Sequence, residues 1–95
     1  MHAVIRTYSG KGAKDLFDLL EKRKSDVERL MRSIKGFESY FLTRTGDGGI
    51  AVTVCQDKAG TDESIQQAKD WIGKNASNIG ASAPQVSEGP VSFCM

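Results

Sequence analysis

The chain has 95 residues, the size of one small domain with one hydrophobic core. Its 13 lysine and arginine residues nearly balance 12 aspartate and glutamate residues, so the basic excess that drives binding to a phosphate backbone is missing. No apolar run approaches the roughly 20 residues of a membrane-spanning helix, and the first ten residues do not form a secretory signal. We therefore expect one cytoplasmic domain, residues 1–95, without nucleic-acid or membrane partners.

A strand and a long helix are the first predicted elements. His2–Tyr8 is rich in β-forming residues, and the glycine-rich run at 9–12 stops it. From 13 to 35 apolar residues recur at helical spacing, and Gly36 is typical of a C-terminal cap. The pattern predicts one helix over the whole of this stretch.

A β-hairpin is predicted next. Residues 37–45 alternate so that Phe37 and Phe41 share one face, opposite Tyr40. A short Gly/Asp loop then leads into a second strand at 50–56. Two such strands joined by so short a loop favour antiparallel pairing.

The last predicted elements are a helix and a strand. Thr61 suits the N-cap of the helix, whose apolar face includes Trp71 and which must end by Gly80. Residues 86–93 form a final strand that carries Pro90. Proline removes a backbone donor, which predicts a strand at a sheet edge or at a bulge.

The element order predicts an α+β fold. Strand, helix, strand, strand, helix, strand is the βαββαβ arrangement called ferredoxin-like, an antiparallel sheet with two helices on one face. The uncovered face should be polar in a protein that works alone, yet the hairpin carries apolar side chains on both faces. We therefore expect two copies to pair sheet to sheet as a homodimer.

Few residues suggest chemistry. The run 9–12 lacks the spacing of a phosphate-binding loop and is typical of a turn. The only histidine is His2, so no hydrolase triad and no metal-ligating cluster can be assembled. Cys55 lies in an apolar strand and Cys94 near the end of the chain, and two such cysteines are not a disulfide framework.

Five side chains remain as candidates for a ligand site. Trp71 lies in an apolar helical stripe with Asn75 one turn later, either as core or as a ligand contact. Tyr8 and Tyr40 place hydroxyls on strands, where they either are satisfied locally or line a pocket. Arg23 interrupts the first helical stripe, so either its stem covers the core or its guanidinium fixes an anionic group of a ligand.

Over residues 4–93 the chain resembles the antibiotic biosynthesis monooxygenase superfamily in its element order, in the Gly36-Phe37 entry into the second strand and in the tryptophan of its second helix. The resemblance implies a dimeric α/β barrel with a pocket between sheet and helices. Some members oxidise aromatic polyketides with O₂ and no bound cofactor. Others degrade heme with an Asn, a Trp and a ligating His, but no histidine follows Trp71 here.

The leading hypothesis is a cofactor-free, monooxygenase-like dimer that holds a small aromatic or apolar molecule. Trp71 and Asn75 would orient the substrate as catalytic residues, and Tyr8, Arg23 and Tyr40 would bind it. The alternative is a non-catalytic ligand-binding or dimeric interaction module, in which the same aromatic residues belong to the core. The absence of a firm acid/base set favours the alternative.

Overall fold

The computed structural model describes all 95 residues and contains seven elements. In chain order they are β1 (His2–Tyr8), α1 (Ala13–Lys22), α2 (Lys24–Arg32), β2 (Phe37–Thr45), β3 (Gly48–Cys55), α3 (Lys58–Asn75) and β4 (Gln85–Pro90). None of the three helices is long and apolar enough to cross a membrane.

The four strands form one antiparallel sheet in the order β2-β3-β1-β4. β1 lies inside the sheet, and β4, which ends at Pro90, forms one edge. The ferredoxin-like α+β fold is thereby confirmed, as is the edge position of the strand that carries proline. β4 is shorter than expected, and Phe93 lies beyond it with an exposed side chain.

The prediction of one helix over residues 13–35 is wrong, because the chain breaks at Arg23. The backbone there has φ −102° and ψ 32°, outside the helical region, and divides the segment into α1 and α2. A continuous helix would carry this charged side chain along the buried stripe. At the break, Arg23 instead donates to the Asp26 carboxylate at 2.6 Å, in the first turn of α2.

The predicted start of the last helix at Thr61 is also wrong. α3 begins one turn earlier, and the Asp57 side chain caps it by accepting from the Gly60 backbone N–H at 3.1 Å. Thr61 is fully buried, and its hydroxyl bonds to the carbonyl of Lys58 and to the ring of His2. The hydroxyl that suggested a cap therefore joins α3 to β1.

A register shift in β2 corrects one facing assignment. Phe37 pairs with Cys55 and Ser39 with Val54, so one extra residue lies between the two pairs. A bulge of this kind reverses the alternation. Phe37 consequently packs against the core on the same face as Tyr40, whereas Phe41 points the other way and is 58% exposed.

The sheet has two unlike faces. The inner face is covered by the helices and contributes Val4, Tyr8 and Ala51 to the core, together with the buried Arg6. The open face carries no helix. Its larger apolar side chains are Ile5, Phe41, Ile50, Val52 and Val54.

Candidate functional site

A cavity of about 20 Å³, room for one water molecule, lies between the inner face and the helices. Most of its walls are aliphatic side chains from α1, α2 and α3. Its polar lining comes from Arg6 and Tyr8 on β1 and from Tyr40 on β2, and Trp71 on α3 closes one side. These groups meet because β1 and β2 flank β3, whose residue at this level is the small Ala51.

Arg6 is the most unusual of these residues. Its side chain is only 3% exposed, and its Nη1 donates to the Tyr8 hydroxyl at 3.1 Å. Nε and Nη2 are buried and have no hydrogen-bond partner in the protein. Arg6 takes part in none of the nine ion pairs of the chain, so its guanidinium is buried without a counter-charge.

The cavity lining offers hydrogen-bond donors and no base. Burial raises the pKa of Tyr40 above its ordinary value of 10.0, and the positive charge of Arg6 opposes that rise only in part. Tyr40 therefore carries its proton at neutral pH. Neither a carboxylate nor an imidazole lines the cavity. The arrangement can hold a negatively charged oxygen but has no group that would remove a proton from a ligand.

A much larger cleft of about 580 Å³ opens to solvent between α2 and β2. Its outer rim carries both acidic and basic side chains, among them Glu28 and Arg32. The cleft and the inner cavity share four lining residues, Leu20, Val27, Met31 and Tyr40. The open cleft and the inner cavity therefore share part of one wall.

Trp71 is held from outside the cavity by two of the predicted site residues. The Arg23 guanidinium lies 5.4 Å from the centre of the indole ring, a cation–π arrangement. Asn75 donates to the carbonyl oxygen of Trp71 at 3.0 Å, and its Oδ1 accepts from Arg23 at 3.5 Å. Since Asp26 also pairs with Arg23, the charge of this arginine already has a partner.

Of the five residues predicted from the sequence, the structure brings three to the cavity and leaves two behind it. Tyr8, Tyr40 and Trp71 line the cavity, whereas Arg23 and Asn75 contact Trp71 without lining it. Their roles with a ligand stay predictions.

Sequence reasoning missed Arg6. The signal was present in the alternation of β1, which places residues 4, 6 and 8 on one face. Since Ile5 lies on the opposite face, this alternation indicates a buried arginine only once it is known which face the helices cover.

The two cysteines differ in their exposure to solvent. Cys55 is fully buried on the inner face, and desolvation, aided by nearby acidic groups, raises the pKa of its thiol. Cys94 is exposed. No cluster of three or more His, Cys, Asp or Glu residues could hold a metal ion.

Neither a family model nor a curated protein matches the chain. Solved structures do. A protein of unknown function from Nitrosomonas europaea aligns over 99% of this chain and 90% of its own, with TM-score 0.72 and 14% identity. A monooxygenase from Streptomyces coelicolor, in complex with nanaomycin D, aligns over 99% and 89%, with TM-score 0.68 and 14% identity. The fold is that of the antibiotic biosynthesis monooxygenases.

A dimeric ferredoxin-like protein from an uncultured marine organism has the same fold, with TM-score 0.66, 17% identity and coverage of 99% and 95%. Identities this low show a common architecture and not a common activity. A small cavity beside Trp71 lies between sheet and helices. That this space serves as the expected ligand pocket stays a prediction.

Proposed function

We propose that the chain is a homodimeric, monooxygenase-like domain that binds a small aromatic molecule between its inner sheet face and its helices and oxidises it with O₂, without a bound cofactor. The observation that carries the proposal is the convergence of three donor side chains, Arg6, Tyr8 and Tyr40, opposite the flat ring of Trp71. Core packing alone does not call for such a set.

Room for a ligand comes from joining the cavity to the cleft. A site for one water molecule is too small for an aromatic ring, but the cleft beside it has about 580 Å³. Met31 and Tyr40 stand between the two spaces. Methionine is unbranched and changes rotamer readily, so a ligand that enters from the cleft displaces it at small cost.

The absence of a base restricts the chemistry to substrates that ionise easily. A methylene flanked by aromatic rings and conjugated with a ketone loses a proton to water and becomes an enolate. The enolate supplies the electrons that reduce O₂, and a carbon–oxygen bond forms as a hydroperoxide. Loss of water then leaves a ketone, so one oxygen atom enters the product and the other leaves as water with the two methylene hydrogens.

The protein would contribute position and electrostatics to this sequence. Trp71 offers a face on which a planar ring stacks, and the donors opposite it stabilise the enolate oxygen in a site shielded from water. Arg23 and Asn75 would fix the orientation of Trp71 from behind.

The homodimer is supported by the open face. Its apolar centre is Ile5, Val52 and Phe41, which lie side by side across three strands. The exposed fractions of Ile5 and Phe41 are 38% and 58% in the isolated chain. An apolar patch across three strands favours burial against a second sheet, and the fold neighbour from the marine organism is dimeric.

Oxygen uptake with 1,8-dihydroxyanthrone tests the proposal. The parent protein should consume one O₂ for each anthraquinone formed, above the rate seen with heat-denatured protein. Trp71→Phe should lower kcat/KM at least about tenfold, because the smaller phenyl ring reduces the stacking surface and disturbs the contact with Arg23 that holds the indole. Phe93→Leu, at an exposed aromatic residue outside the site, is the matched control and should leave the rate unchanged. If Trp71→Phe bound and oxidised the anthrone as well as the parent protein does, the proposed function would be wrong.

A binding module without turnover is the second candidate. Two observations favour it, the lack of a base and the small size of the inner cavity. Trp71 is the only tryptophan, so its fluorescence reports occupancy directly. Quenching by the anthrone without O₂ consumption would establish binding and exclude oxygenation of this substrate.

A further inference from the structure

We propose that the ligand of the interior site is an anion with two neighbouring oxygen atoms in one plane, a carboxylate or an enolised dicarbonyl, and that Arg6 is the residue that binds it. The inference rests on the proposed site and narrows its substrate class. It starts from a guanidinium that is buried, charged and unpaired.

The position of the free donors defines the ligand. A guanidinium has five N–H groups in a fixed fork, and Nε and Nη2 form one edge of that fork. The Tyr8 hydroxyl accepts from Nη1 and leaves the Nε/Nη2 edge without a partner. This edge offers two parallel N–H groups, the geometry that receives a carboxylate through two hydrogen bonds.

The cavity lining supplies no anion that would neutralise Arg6. Only three buried side-chain polar atoms in the chain lack a partner, and two of them belong to Arg6. One water molecule in a cavity of about 20 Å³ would satisfy a donor but would not neutralise the charge. A buried charge without a counter-charge destabilises the folded protein, and an anionic ligand relieves that cost by entering.

Two nitroaromatic probes of nearly identical shape test the charge preference. 4-Nitrobenzoate presents the two-oxygen anion, 4-nitrobenzamide is its neutral counterpart, and both quench tryptophan fluorescence. We expect the parent protein to bind the benzoate at least about tenfold more tightly, with Trp71 emission as the readout. Arg6→Met should abolish the preference by weakening benzoate binding far more than benzamide binding, and Arg6→Lys should restore part of it.

The matched control is Arg29→Met. Arg29 lies on α2 with a 79% exposed side chain, so the same substitution should leave the preference for the benzoate intact.

Thermal unfolding separates a ligand-binding role from a structural one. If Arg6 serves an anion, Arg6→Met should raise the Tm of the ligand-free protein by several degrees, because an apolar chain replaces an unpaired buried charge. 4-Nitrobenzoate should then raise the Tm of the parent but not that of the variant.

The outcomes distinguish the two proposals. Equal binding of both probes by the parent would overturn the anion inference and leave the site in place. A preference that survives in Arg6→Met, or a fall in its Tm, would also overturn the inference. If neither probe quenches Trp71 fluorescence, the result would contradict both the proposed interior site and the anion inference that rests on it.

Discussion

Each face of the sheet carries side chains that would not be expected there in an isolated domain. The inner face, under the helices, buries the guanidinium of Arg6 and the hydroxyl groups of Tyr8 and Tyr40. The open face exposes Ile5 and Phe41 to solvent.

The difference between these exceptions teaches that the two faces favour partners of two different kinds. Buried charge without a counter-charge favours a ligand of opposite charge. Exposed apolar surface across several strands favours a partner of like character. The free energies concerned come from different sources, electrostatic on the inner face and hydrophobic on the open face, so substitutions can separate them.

The largest expected effect is loss of the dimer in Val52→Asp. Val52 lies at the centre of the open face, paired with Ile5 on one side and Phe41 on the other. A carboxylate there would be buried without a partner between two sheets, which should weaken association at least about a hundredfold. Light scattering should find about twice the 10.3 kDa of one chain for the parent and a single chain for the variant.

Val86→Asp is the matched control for that substitution. Val86 is also a half-exposed valine on a strand, but it pairs with Arg6 and so lies on the inner side of the edge strand β4. The Val86→Asp substitution should leave the dimer unchanged. Dissociation in both variants would mean that the open face is not the contact.

A smaller effect should separate two neighbours on β1. Val4 is fully buried on the inner face, and Ile5 lies on the open face. In the monomeric Val52→Asp background, Val4→Ala should lower the free energy of unfolding by about 2 kcal/mol, because it opens a cavity in the core. Ile5→Ala should lower it by less than about 0.5 kcal/mol there, since no partner sheet covers the side chain.

Urea unfolding measures both values. A cost for Ile5→Ala as large as that for Val4→Ala in the monomer would show that the open face is already packed within one chain, and the contrast between the faces would be lost.

Much of the fold could be predicted from the sequence because hydrophobic periodicity and turn residues act locally. The hairpin, the four strands and the edge position of the strand with Pro90 all follow from such patterns. The errors have tertiary causes. The break at Arg23 depends on Asp26 and on Trp71, which is 48 residues away in the chain, and the bulge after Phe37 depends on pairing with β3.

The site was predicted less well than the fold. Tyr8, Tyr40 and Trp71 were selected from the sequence because they are aromatic and carry polar groups, and these three do meet at the cavity. Arg6 was overlooked because a single charge in a strand reads as solvent-exposed until the face it occupies is known. That face is fixed by the helices, whose placement no local pattern contains.

The smallest effect we expect concerns pH and is confined to the inner face. No side chain on the open face titrates, whereas burial raises the pKa of Tyr40 above 10.0. The folded protein therefore keeps a proton that the unfolded chain loses near pH 10.0, and stability falls as the pH rises from there through the pKa of the folded state.

Tyr40→Phe should remove that fall. Between about pH 10 and about pH 11 the parent should lose up to about 1 kcal/mol more stability than the variant, and the two curves should run parallel below about pH 9. The chain has two tyrosines, so the difference in tyrosinate absorbance between the parent and Tyr40→Phe reports the ionisation of Tyr40. That difference should appear with a midpoint above pH 10.0. Parallel curves over the whole range would place the Tyr40 hydroxyl in solvent, and the donor set around Arg6 would then shrink to Tyr8 alone.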